Sequence, residues 1–144
     1  MLRFSRKADY ALIALKHLAQ QGQLASLSAA DISAAYGIST PLLAKVLQRL
    51  AKQGLVAARH GSSGGYTLAR DPSSITALDV VQAIDGPMNI TSCMSRRGDC
   101  GHFSNCTVRE PLRRVNDTVL QVLERVTLAQ LAEEKPASPV RLTT

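Results

Sequence analysis

Cys93, Cys100 and Cys106 sit in the polar stretch ITSCMSRRGDCGHFSNCTVR, and the chain contains no other cysteine. Thiolate is the metal-binding form of cysteine, and these spacings let one flexible segment wrap three sulfurs around a metal centre. Gly98 and Gly101 permit the backbone folds this needs, while Arg96, Arg97 and Arg109 favour thiolate over thiol and offset an anionic centre. Zinc sites usually pair cysteines two to four residues apart, and no such pair occurs here, so the spacing favours an iron-sulfur cluster of the two-iron or four-iron type. A reactive thiol, or a disulfide leaving one thiol over, is the competing use. An odd cysteine count excludes complete pairing within one chain, and 144 residues can bury a core without disulfide staples.

A second group of residues suits nucleic acid. The formal charge is +6, from 17 Lys and Arg against 11 Asp and Glu, which points to a polyanionic partner. With 2 Phe, 3 Tyr and no Trp, the chain is poorly equipped to stack on single strands, so double-stranded DNA is the better candidate. Ser39, Thr40, Pro41, Lys45, Gln48 and Arg49 lie off the apolar stripe Leu42, Leu43, Val46, Leu47 and Leu50, the arrangement a groove-reading helix requires. Arg59 and His60, followed by Ser62, Ser63 and Gly64, form a basic, glycine-rich turn able to approach a phosphate strand. Arg3, Arg6 and Lys7 would add phosphate contacts. For each feature the plainer alternative is structural: a solvated helix face and an ordinary hairpin turn.

The elements that must position these residues are legible in outline. Apolar spacing predicts a first helix from about 6 to 20, stopped by Gly22. Ser28, followed by Asp31, caps a short helix to Tyr36, and Ser39 with Pro41 opens a third that runs to Gly54. Strands over 55–59 and 66–69 flank the glycine-rich turn, and Thr76 caps a helix ending at Gly86-Pro87. The cysteine loop occupies 88–107. Leu112, Val115, Val119, Val122 and Val126 then recur in steps of three and four, the seam of one long dimerisation helix over 108–134. The tail, 135–144, is rich in Pro and Thr and carries no apolar period.

The expected fold is therefore mainly α with a small β-hairpin: a winged helix-turn-helix DNA-binding domain over 1–87, then the loop and the dimerisation helix. A homodimer would set two reading helices about 34–36 Å apart on a palindromic site. No membrane partner is expected, since no run of about eighteen apolar residues occurs, and Lys7, Asp9, Lys16 and His17 interrupt any leader-like stretch. The expected location is the cytoplasm. An enzyme is disfavoured too, because His17 and His60 already fit a helix and the hairpin, leaving only His102 near a thiol.

Five segments together carry a family resemblance: R-x-S-x-x-x-D-Y-A-L at Arg3 to Leu12, G-x-x-G-G-Y at Gly61 to Tyr66, D-P-x-x-I-T at Asp71 to Thr76, I-D-G-P at Ile84 to Pro87, and the three-cysteine loop. In these the chain resembles the IscR/NsrR family of winged-helix iron-sulfur regulators, up to about residue 132. I-T-S-C at 90–93 and V-x-L-A at 126–129 look most like the regulators of SUF-type cluster assembly. The resemblance implies a dimeric transcription regulator, mostly repressing, whose cluster state sets its affinity for promoter DNA. One branch of the family completes its cluster with a histidine three residues past the last cysteine. Here that position is Arg109, which cannot ligate. Other branches use an amino-terminal acid donated by the partner subunit, and Asp9 matches it, with His102 and Glu110 as alternatives. Relatives without the cysteines imply the other reading, control by thiol oxidation or by a protein partner.

Overall fold

The computed structural model describes residues 4–22, 25–61, 64–89 and 107–133. Three of its first four α-helices begin where a short polar side chain takes up a backbone N–H that the first turn leaves unpaired. Helix α1 (Arg6–Gln21) is capped by Ser5, whose hydroxyl accepts from the Ala8 N–H. Helix α2 (Ala29–Tyr36) opens with a reciprocal Ser28–Asp31 capping box and closes on Gly37 in the left-handed conformation. Helix α4 (Ala77–Asp85) repeats the box with Thr76 and Asp79. Helix α3 (Thr40–Lys52) differs: Ser39 holds the cap position, but its side chain makes no capping bond, and Pro41 supplies the helical φ in the first turn.

Between α3 and α4 the chain forms a hairpin, β1 (Val56–Arg59) antiparallel to β2 (Gly65–Leu68), with Val56 opposite Leu68 and Arg59 opposite Gly65. The pairing starts one residue later on the first strand and one earlier on the second than the composition predicts. Leu27 crosses beside Tyr66, exchanging N–H···O bonds of 2.8 and 3.1 Å. That crossing explains Gly65, because a Cβ there would lie 2.6 Å from the Leu27 carbonyl. A 3₁₀ turn (Pro72–Ser74), capped by Asp71, leads into α4.

The single helix expected over 108–134 is two helices, α5 (Arg109–Arg125) and α6 (Leu128–Glu133). Between them Val126 is extended and pairs with the entry to α4: its carbonyl accepts from Ala77 N–H at 2.8 Å, and Leu128 N–H donates to the Ile75 carbonyl at 2.9 Å. Thr127 and Gln130 then cap α6 reciprocally. Two β-branched residues followed by a new cap are a helix stop, and the backbone pairing with Ile75 and Ala77 makes it permanent. Val126 thus belongs to this junction, half-buried, and not to a continuous seam.

The core joins Ala8, Ala11, Leu15 and Leu18 of α1 to Ile32, Leu43, Leu47, Leu50, Ile75, Val80 and Leu128. Leu42, placed on the buried stripe by spacing, is only half-buried. Helix α6 therefore packs back onto α1, while α5 leans on α4. Along α5, Leu112 and Val119 are half-buried and Asn116 is buried. Val108, Val115 and Val122 stand outward at 53%, 51% and 55% exposure.

Candidate nucleic-acid interface

Helix α3 divides its side chains sharply. Leu43, Val46, Leu47 and Leu50 are buried, whereas Ser39, Thr40, Pro41, Lys45, Gln48, Arg49 and Lys52 are exposed. The core holds one face of the helix and leaves the other for a partner. Beside the exposed face lies a cleft of about 740 Å³, lined by Ser5, Arg6, Lys7, Lys45, Arg49 and Asp85 among others. Four cations from two helices thus converge on one concavity. Lys45, Gln48, Arg49, Lys52 and Gln53 line a second hollow of about 290 Å³ along α3.

Three hydrogen bonds set the walls of the larger cleft. The Arg49 Nε donates to the Ala83 carbonyl at 3.1 Å, which ties the guanidinium to the last turn of α4. On the other wall the Asp85 carboxylate accepts from both the backbone N–H and the hydroxyl of Ser5. Ser5 in turn caps α1, so Arg6 and Lys7 emerge from a pinned helix end.

On the hairpin, Arg59 and His60 are exposed, and Gly61 takes a φ of +110° that favours glycine. Gly64 is half-buried. Arg3, Ser62 and Ser63 lie outside the described residues, as do Cys93, Cys100, Cys106 and His102. The structure brings Arg6, Lys7, Lys45 and Arg49 together on the cleft, and adds Ser5 and Asp85. Sequence reasoning passed over Ser5 and Asp85 as site residues. Both stand in segments that carry the family resemblance, R-x-S and I-D-G-P, but nothing local says that residues eighty apart meet.

The candidate fourth ligands differ in their surroundings. Asp9 is exposed in the first turn of α1, and its carboxylate has no hydrogen bond or ion pair among the described residues. Glu110 is engaged: Arg113 donates to it through Nε at 3.1 Å and Nη2 at 2.7 Å, and Arg114 lies 3.8 Å away. The Arg113 hydrogen bonds hold the Glu110 carboxyl below the usual range.

A helix pair joined by a tight turn, followed by a two-stranded wing, defines the class: winged-helix transcription regulators. Within that class the chain belongs to the Rrf2 family, described as iron-dependent transcriptional regulators, whose profile matches residues 4–134. The HTH-type transcriptional regulator IscR of Escherichia coli is 32% identical over 134 residues, which are 93% of this chain and 82% of that protein. Among solved structures, CymR of B. subtilis, the global cysteine regulator, matches with a TM-score of 0.77 at 30% identity, over 92% of this chain and 97% of that one. IscR of T. potens matches with a TM-score of 0.72 at 26% identity, over 94% of each chain. No helix among the described residues is long and apolar enough to cross a membrane.

Proposed function

We propose that this protein is a homodimeric, cytoplasmic repressor that binds palindromic promoter DNA and is controlled by an iron-sulfur cluster. Its targets would be genes of cluster assembly or of the response to oxidants and nitric oxide. The observation that carries the DNA reading is the basic cleft beside the exposed face of α3, where Arg6, Lys7, Lys45 and Arg49 converge. Thr40, Pro41, Lys45 and Gln48 would face base edges in the major groove, and Arg6 and Lys7 the phosphates. Arg59 and His60 would follow the backbone or the adjacent minor groove, with Ser62, Ser63 and Gly64 at the tip.

A dimer accounts for the apolar row on α5. Val108, Val115 and Val122 recur every seven residues on one exposed face, and a two-fold partner would cover them.

The donor set fits a cluster: three cysteines able to ligate as thiolates, and in Asp9 an exposed carboxylate unclaimed by any described residue. Cys93, Cys100 and Cys106 would hold the cluster, with an Asp9 donated across the dimer. When bound, it would supply a centre sensitive to electrons, oxidants and nitric oxide. What this chain adds is leverage. The cysteine segment starts just after the end of α4, and Asp9 lies one turn beyond Ser5, so a constraint on either acts on the two helix ends that frame the cleft. A coupling of about 1–3 kcal/mol would change operator affinity about 5- to 150-fold. Titration of anaerobically purified protein onto a duplex from its own promoter, with and without cluster, tests this. Equal affinity would end the sensing idea.

The second reading is a regulator of the same fold governed by thiol oxidation. It is favoured by the likeness, at 30% identity, to CymR of B. subtilis, the global cysteine regulator; an oxidised form of CymR from Staphylococcus aureus shares the fold with a TM-score of 0.73. Iron and sulfide analysis of the anaerobic protein separates the two.

A further inference from the structure

Asp85 is an oddity in its place. It lies on the cleft lined by Arg6, Lys7, Lys45 and Arg49, where an anion opposes the approach of a phosphate strand. Yet its carboxylate forms an ion pair with none of these four cations. It receives the N–H and the hydroxyl of Ser5, across eighty residues of sequence, while that same hydroxyl accepts from the Ala8 N–H. Its neighbour Ala83 holds the Arg49 Nε through its carbonyl. The last turn of α4 thus grips the start of α1 with one residue and the reading helix with another.

We infer that Asp85 is a positioning residue for DNA binding: through Ser5 it fixes the start of α1 so that Arg6 and Lys7 meet phosphates in register with α3. The inference rests on the DNA-binding reading above. An ionised acceptor taking two donors at a helix start is the strong form of such a bond, and it restrains the helix in direction as well as depth. Without it, α1 keeps its buried face but loses the tether at its tip, and the two cations it carries spread over a wider range of positions. Their contacts then pay out ordering entropy on binding.

The sign of one substitution separates positioning from plain electrostatics. If Asp85 were merely a charge on a DNA-facing surface, Asp85→Ala would tighten binding, because it removes repulsion from a polyanion. Positioning requires the reverse. Using full-length protein, affinity is measured by fluorescence anisotropy on a duplex from its own promoter and on a scrambled duplex, across a series of salt concentrations. Asp85→Ala and Ser5→Ala are each expected to weaken binding about tenfold on both duplexes and to flatten the slope of log affinity against log salt by about one contact. Ser5→Thr, which keeps the hydroxyl, is expected to bind as the parent does, and the Asp85→Ala/Ser5→Ala double variant to lose little beyond either single change. Tighter or unchanged binding by Asp85→Ala, or a loss that leaves the salt slope intact, overturns the inference. Ser5→Ala decides it alone should Asp85→Ala fail to fold. Failure of the parent protein to bind either duplex would instead sink the DNA-binding reading itself.

Discussion

Lys45 and Asp31 show how much one exposed side chain does and does not contribute. Lys45 reaches from α3 to both hollows on the basic face. Lys45→Ala is expected to weaken DNA binding and to reduce the salt slope by about one, with thermal stability almost unchanged because the side chain is exposed; anisotropy titrations and a melt check both halves. Asp31 acts on stability instead. The Ser28 backbone N–H, and then its hydroxyl, hold the Asp31 carboxyl below its ordinary value. A carboxyl depressed in the folded state stabilises in full above the ordinary aspartate range, and that contribution disappears as pH falls through the lowered native value. Urea midpoints measured from about pH 7 down to about pH 2 should fall more steeply for the parent than for Asp31→Asn, and only on the acid limb. Parallel curves would mean that the capping box contributes nothing measurable.

At the level of elements, most of the head was legible because its signals are local. Ser28 with Asp31, and Thr76 with Asp79, are capping boxes written four residues long, and the apolar stripe of α3 needs only its own thirteen residues. What was not legible depended on distant chain. The stop at Val126-Thr127 becomes compelling only once Ile75 and Ala77 are seen to pair with it, although T-x-x-Q at 127–130 carries the cap in plain view. The Ser5–Asp85 clasp had no local sign at all. For the cysteines, spacing spoke to chemistry alone. The apolar row on α5 gives a further expectation: Val115→Glu or Val122→Glu, each at a site about half exposed, should leave the monomer folded but place charge in the middle of the proposed dimer face. Sedimentation should then report monomer, and promoter affinity should fall with it. A variant that stays dimeric would move the dimer face elsewhere.

Across the whole molecule, head and tail share one core. Leu128 of α6 is fully buried against α1, and the junction before it is hydrogen-bonded to the entry of α4. Leu128→Ala should cost about 2–5 kcal/mol, as buried leucine truncations do, although it lies far along the chain from α3. Circular dichroism and promoter binding should lose their signals at the same midpoint. Two separate transitions would show instead that α6 is an appendage. If they coincide, residue 87 is no seam at which evolution or an engineer can cut. A graft of the first 87 residues onto a foreign stem would leave the apolar side of α1 without its cover, and the transplanted reader would arrive unable to fold.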